Sequence, residues 1–590
     1  MSYAVNCADP QILSNMATDS SASAKQDPRP VRLLDPVGGQ DYGTTAEMPD
    51  LQTVIDYEEN RCRLSWGYYR MVDRPALYEW QQALQRKHKV ARALAFVSVQ
   101  SALRELIDFL LTKQPNLSIA WKLSEPLPSW LREWKSVGSD SLEPRLWIVP
   151  DLGADQRNEW LDEDQHAEND QVIWYSTKSF APLPIQQENE FWVGSTEKMG
   201  TPGGVVLGQH DDLMEGLFQL RKRRGALLSV RNIAAWKNDE VVPASSTLKA
   251  TEKICAQLME WEQADECFLF PSGMNAVVTA MELARRRCQS KQPKRFVAIG
   301  LLYTDTYSLL MMDKWRGGNG EPYFLNTDEL GQLEEVLKDE SVAGIVTESI
   351  TNPLGELPDI PKIQETAKRF EIPVIVDNTL AGPTNAQPLE WGADMVIHST
   401  AKYLCGNNQH GGGALLTRQG YWSEQLKSFQ GEWQNFMSPW EVLALADCIK
   451  DFPERMERFN ANGVRVAQFL EAHPKVRSVS FNQLPSHSSH QLAKKLLKGS
   501  GSLISFVLQN DSLDGIRRFY DADLRPLHKA PGLGSNTSML CPYAMLAHYQ
   551  ASDRELEELR ISRYLVRLAV GSEKNLDQVF AALERGFRTQ

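Results

Sequence analysis

The sequence predicts an α/β protein in which a mostly parallel sheet flanked by helices is followed by a smaller α+β domain and preceded by an N-terminal extension. Two observations carry this reading. Between about residues 235 and 430, apolar runs of strand length alternate with amphipathic helical patterns, as successive βαβ units require. Over residues 440–472 the period becomes one long helical pattern, which leads into two more strand-like runs at 476–481 and 502–508.

Taken in order, residues 1–45 are rich in Ser, Ala, Asp, Pro and Gly and predict a largely disordered tail. Residues 46–235 form the extension, helical in pattern over 51–112 and then polar, with a loop or surface excursion at 155–164. Residues 236–435 make the large domain, with strands expected at Glu266–Phe270, Arg295–Ile299, 344–347, 373–376 and 395–398; residues 436–590 make the small one. One echo crosses these boundaries. The run Ala93, Leu94, Ala95, Phe96, Val97, Ser98 resembles Cys267, Phe268, Leu269, Phe270, Pro271, Ser272, each preceded by an amphipathic helix. It is read either as a decayed duplicate of one strand-turn-helix unit or as the generic pattern of any such unit.

A chain of 590 residues with 42% apolar and 24% charged residues is long enough for two to four globular domains. Its net charge of −13 leaves no basic surplus to neutralise phosphates, which argues against nucleic acid as the main partner. Two basic runs, Arg221 to Arg224 and Arg285 to Arg287, each follow a helical pattern and are expected at helix ends, where cations meet the negative end of the dipole. Eight scattered Cys without a CxxC pair predict reduced thiols. No signal peptide and no run long enough to span a membrane is evident, so a soluble, cytoplasmic protein is expected.

The chemistry is read from Lys402. It follows the apolar run Met395, Val396, Ile397 in a Ser/Thr-rich turn, and an earlier run, Val374 to Val376, ends on Asp377. A Lys and an Asp ending successive strands are what pyridoxal 5'-phosphate (PLP) requires: the amine forms a Schiff base with the aldehyde, and the carboxylate keeps the ring nitrogen protonated. The turn Pro271, Ser272, Gly273, Met274 opens a helix after a strand and suits a phosphate. Tyr303 follows the next strand, where a ring can stack on a planar cofactor, and Asn352 precedes Pro353 after the one beyond. Each signal is weak alone, but all five fall in one order at the edge where open α/β sheets bind ligands.

With these motifs, residues 243–590 resemble the Cys/Met-metabolism PLP enzymes, the cystathionine γ-synthase-like family of fold type I, most specifically over 347–413. The long N-terminal region and the Phe-Pro-Ser-Gly-Met run are similar to the long fungal-type cystathionine γ-synthases. The resemblance implies a seven-stranded-type sheet, Lys402 as the Schiff-base lysine, Asp377 on the ring nitrogen, Ser399, Gly273 and Met274 on the phosphate, and Thr379 and Thr400 among the cofactor-binding residues. It implies Tyr303 on the ring and near the leaving group, Asn352 on the ring oxygen, Arg567 on the substrate carboxylate, and Gly534 and Ser535 beside the substrate. The implied reaction is γ-replacement on an O-acyl-L-homoserine through a vinylglycine-type ketimine, with cysteine giving cystathionine. Capture by sulfide or a carbon nucleophile, or a lyase reaction, is the alternative. A homodimer or homotetramer is implied as well.

The departures are specific. Ala401 stands where the family has Thr before the Lys, Tyr303 opens a Tyr-Thr-Asp-Thr run in place of Tyr-Gly-Gly-Thr, and Gly532 to Ser535 replaces a Ser-Leu-Gly loop. The family's Tyr-x-Arg, which reaches a neighbour's phosphate, is missing before Ser272, and Tyr68 and Arg70 are its candidate substitutes far upstream.

Overall fold

The computed structural model describes residues 32–34, 47–59, 61–64, 81–86, 90, 92–96 and 98–113, strands within 118–195, residues 204–313 apart from 239 and 291–293, and residues 320–590. Tyr68, Arg70, the 155–164 excursion and most of the 1–45 tail lie outside the described residues. Within the tail, β1 (Arg32–Leu34) pairs in parallel with β2 (Cys62–Leu64), a strand where none was expected.

Helix α1 (Leu51–Glu58) belongs by sequence to the extension, yet it packs on the C-terminal domain. Leu51 N donates to Asp521 Oδ1 at 2.8 Å, and the Tyr520 hydroxyl donates to Met48 O at 2.9 Å. Met48, Leu51 and Val54 share one apolar cluster with Ile516, Tyr520 and Phe587.

The extension, expected to be partly helical, carries a six-stranded sheet. Its strands are β3 (Arg92–Phe96), β4 (Ser118–Trp121), β5 (Arg145–Pro150), β6 (Gln171–Ser176), β7 (Glu190–Ser195) and β8 (Gly204–Gly208), in the order β3-β8-β7-β6-β5-β4. Strands of this length are readable in the large domain because helices alternate with them regularly. Here only the run at 93–96 stands out, through its echo of 267–270, and the polar connections of the other five strands show no such alternation. Helices α2 (Val99–Lys113) and α3 (Asp211–Arg224) cover this sheet.

After α4 (Ala244–Glu262), the large domain forms a seven-stranded mixed sheet flanked by helices. Its strands are β9 (Glu266–Phe270), β10 (Arg295–Ile299), β11 (Tyr323–Leu325), β12 (Val342–Glu348), β13 (Val374–Asp377), β14 (Met395–Ser399) and β15 (Gly413–Thr417), in the order β11-β10-β12-β13-β14-β15-β9. Every residue of β12 is buried, as expected of a central strand covered on both faces. Between strands lie α5 (Gly273–Arg287) and α6 (Thr304–Asp313), and α7 (Tyr421–Trp433) follows β15.

The single helix expected over 440–472 is two, Pro439–Cys448 and α8 (Phe452–Ala472). Pro453 stands in the first turn of α8, where its missing N–H costs nothing, whereas inside one continuous helix its ring would clash with a carbonyl. The small domain closes on a five-stranded sheet of β16 (Val476–Ser480), β17 (Leu503–Leu508), β18 (His528–Lys529), β19 (Met539–Pro542) and β20 (Val566–Ala569), ordered β16-β17-β20-β19-β18. Among the described residues no helix is long and apolar enough to cross a membrane.

Candidate active site

Strands β12, β13 and β14 run parallel, and β9 points the same way because it is antiparallel to β15, itself antiparallel to β14. The C-terminal ends of all four therefore meet at one edge. Ser272 caps α5 there, its Oγ accepting from Asn275 N at 3.0 Å. Gly273 and Met274 occupy the first turn, whose N–H groups have no partner within the helix. A Cβ added to Gly273 would lie 3.1 Å from Ser399 Cβ and 3.2 Å from its Cα, so the cap and the end of β14 approach closely only because residue 273 lacks a side chain.

Thr379 ties the ends of β13 and β14 together. Its N–H donates to Asp377 Oδ1 at 3.0 Å, and its Oγ1 accepts from Ser399 N at 2.8 Å. Below this layer, Glu262 at the end of α4 receives Asn378 Nδ2 at 3.0 Å and lies 2.8 Å from His398 Nε2. The neighbours of Asp377 and Ser399 are thus pinned from inside, and nothing in the local sequence marks Glu262 for that role. Lys402 lies in the turn after β14, its N–H donating to Ser399 O at 3.2 Å. Thr400 turns its hydroxyl inward to His410 Nε2 at 2.8 Å, and His410 Nδ1 lies 2.9 Å from Glu441 Oε2. Burial works to raise the Glu441 carboxyl, but the His410 hydrogen bond and the His410 and Arg231 charges hold it at about 2.

Glu348 ends β12 directly beside Asp377, which ends β13. Burial and then the Asp377 charge push the Glu348 carboxyl well above the usual range, although the Tyr303 N–H donates to Glu348 Oε1. Burial also raises Asp377, against hydrogen bonds from Thr379. Tyr303 immediately precedes α6, so the Tyr-Thr-Asp-Thr run is a helix start and not an open turn.

On the small-domain side, Arg567 is 5% exposed. Its Nη1 donates to Asn352 Oδ1 at 3.3 Å, its Nη2 donates to Pro531 O, and its guanidinium lies 5.1 Å from the Tyr543 ring centroid. Gly534 packs on the lysine turn: at φ +70°, an added Cβ would stand 2.5 Å from Tyr403 N and 3.2 Å from Lys402 Cα. Ser535 Oγ faces Thr537 Oγ1 at 3.2 Å. Apart from Tyr68 and Arg70, every predicted site residue is described. Glu348 and Tyr543 were not singled out from sequence, though a carboxylate ending an apolar strand was a readable signal for the first.

These residues fit PLP: a glycine-cleared helix N-terminus beside a serine for a phosphate, a carboxylate for a ring nitrogen, and a lysine in the turn that follows that serine. The family model for Cys/Met metabolism PLP-dependent enzymes matches residues 245–588. The chain belongs to that family. A cystathionine beta-lyase of Coxiella burnetii is 33% identical over 331 residues, 56% of this chain and 82% of that protein. A cystathionine gamma-synthase of Neurospora crassa is 32% identical over 319 residues, 52% of this chain and 50% of its own length. The crystal structure of a cystathionine gamma synthase from Xanthomonas oryzae pv. oryzae in complex with cystathionine superposes with a TM-score of 0.53 at 26% identity, covering 57% of this chain and 84% of the other. As a member of the Cys/Met metabolism family the chain is a PLP-dependent enzyme of fold type I, and relatives named as synthases and as lyases both match it.

Proposed function

We propose that this chain catalyses γ-replacement on an O-acyl-L-homoserine, with cysteine as nucleophile, releasing the acyl group as a carboxylic acid and giving cystathionine. Support comes from the Arg567–Asn352 pair standing at the same edge as the lysine turn, together with the likeness to the Neurospora and Xanthomonas synthases. Bound PLP supplies an electron sink for charge developed at the substrate Cα.

The chain's own groups do the rest. Arg567 receives the α-carboxylate with its remaining guanidinium donors, and Asn352 orients both Arg567 and the cofactor ring. Lys402 holds the cofactor at rest and, once released, moves protons between Cα and Cβ. Asp377 keeps a proton on the ring nitrogen. Ser399, Gly273 and Met274 hold the phosphate, Thr379 links Asp377 to Ser399, and Thr400 is bonded to His410. Tyr303 assists departure of the acyl group. Gly534 and Ser535 bring the small-domain loop against the lysine turn and close the site to water. For the phosphate contacts that the family's Tyr-x-Arg supplies, Tyr68 and Arg70 are proposed from sequence alone.

Incubation with O-acetyl- and O-succinyl-L-homoserine, with and without cysteine, followed by product mass, tests this. Cystathionine should form only when cysteine is present. The lyase reading, favoured by the Coxiella relative, requires instead that supplied cystathionine be broken down to a keto acid, and that result without any synthesis would refute γ-replacement. Parallel incubation with sulfide distinguishes the thiol acceptor.

A further inference from the structure

The two large sheets of this chain have the same topology. Read from β3, the N-terminal sheet runs β3-β8-β7-β6-β5-β4; read from β9, the catalytic sheet runs β9-β15-β14-β13-β12-β10-β11. In both, the first two pairings are antiparallel and all the rest parallel. Only the edge strand β11 has no counterpart among the described residues. The registers also coincide. Gly204 faces Phe96 and Ser195, as Gly413 faces Phe270 and Ser399. Helices α2 and α5 each contain 15 residues and begin after two intervening residues, placing Ser98 opposite Ser272 and Ser101 opposite Asn275. Helices α3 and α7 each end on a left-handed residue, Gly225 at φ 68° and Gln434 at φ 47°.

The contacts between the copies are reciprocal. Ser98 Oγ and Ser101 Oγ donate to Trp433 O, at 3.0 and 3.1 Å, in the last turn of α7. Ser272 Oγ donates to Gly225 O at 3.0 Å and Asn275 Nδ2 to Arg224 O at 3.2 Å, at the end of α3. Equivalent residues thus bind equivalent helix ends in both directions, the signature of a two-fold, isologous interface, here closed within one chain. Arg104 of α2 adds an ion pair to Glu282 of α5 at 3.2 Å, and one apolar cluster containing Phe96, Leu106, Met274 and Phe429 runs through both copies.

Among the described residues, the N-terminal copy lacks two of the cofactor groups. Val99 stands where Gly273 clears the phosphate turn, and the register that pairs Asp377 with Ile397 pairs Tyr175 with Val193. Its sequence after β7 still reads Ser195, Thr196, Glu197, Lys198, against Ser399, Thr400, Ala401, Lys402. A lysine persists without its ring-nitrogen carboxylate.

We infer that residues 92–225 are a cofactor-silent copy of the large domain that acts as a built-in partner, and that Gly225 is a positioning residue bracing the cap of α5. An added Cβ at Gly225 would lie 1.9 Å from Ser272 Oγ, so no other residue fits that contact. The brace rests on the reading of Ser272 to Met274 as the phosphate turn, whereas the silence of the copy does not.

The test uses the full chain loaded with PLP. Borohydride reduction followed by peptide mass should place the cofactor on Lys402 and none on Lys198; a labelled Lys198 overturns the silent copy. Gly225→Ala should retain PLP about tenfold less well on dialysis, the effect of losing one buried hydrogen bond. Ser98→Ala, which breaks the equivalent bond on the far side of the interface, should lower the melting temperature without changing retention. Equal loss of PLP in both variants, or none in Gly225→Ala, overturns the brace. If Gly225→Ala is unfolded by circular dichroism, Ser272→Ala removes the donor of the same bond and carries the same expectation. Loss of Lys402 labelling in the wild type would instead refute the active-site reading itself.

Discussion

Glu348 and Asp377 end adjacent parallel strands, and burial together with the neighbouring charge keeps a proton on the Glu348 carboxyl far above its ordinary 4.5. In the cofactor-free protein the folded state therefore holds a proton that the unfolded chain has already released. Stability contributed by the neutral carboxyl is present below the unfolded value and is lost as pH rises through the raised one, by up to about 1.4 kcal/mol per pH unit. Glu348→Gln abolishes that titration while its amide oxygen still accepts the Tyr303 N–H. The variant should gain in unfolding midpoint relative to wild type as pH goes from 5 to 8. A difference that stays constant across that range would sink the assignment. Lys402, Asp377 and Ser399 were legible because each ends or follows an apolar run, a pattern written in consecutive residues. Glu262 and Gly225 were not, because their partners lie 136 and 47 residues away.

At the scale of elements, the two basic runs do end helices, as expected from dipole arguments, but their positions do more than that. Arg224 is 2% exposed and donates to Glu105 Oε2 at 2.9 Å and Asp108 Oδ2 at 2.7 Å, fastening α3 to α2. Removing this buried cation takes the ion pair from Glu105 in the interior, while Asp108 keeps Arg104 Nε at 3.2 Å. Arg224→Met should cost about 3–5 kcal/mol in thermal or denaturant unfolding, and adding Glu105→Gln should recover part of it. A cost within surface-substitution scatter would mean that water reaches the pair. The strands of the catalytic sheet were predicted largely in place because buried parallel strands are continuous apolar runs. The short β11, the antiparallel β15 and, the 93–96 echo apart, the strands of the extension were not legible, none of them standing in a regular strand-helix alternation. The break before α8 was visible only as Pro453 inside a helical pattern.

For the whole molecule, α1 lies in sequence ahead of the N-terminal copy but is spent on the far end of the chain, against α8 and the small-domain sheet. Leu51 is fully buried there, so Leu51→Ala should destabilise by about 2–5 kcal/mol while leaving covalent cofactor attachment to Lys402 unchanged. Loss of attachment in the folded variant would show that this strap also supports the site. What the amino-acid order determined by itself was the catalytic half: its strand-helix alternation, the lysine and aspartate at one edge, and the family those motifs resemble. All of these are local patterns repeated along consecutive residues. Only the tertiary structure decided that the extension is a second sheet of the same topology and that it faces the first about an approximate two-fold. Strand order, register and reciprocal contact depend on pairings between segments far apart in the chain, and side-chain periodicity carries no record of which strand lies beside which.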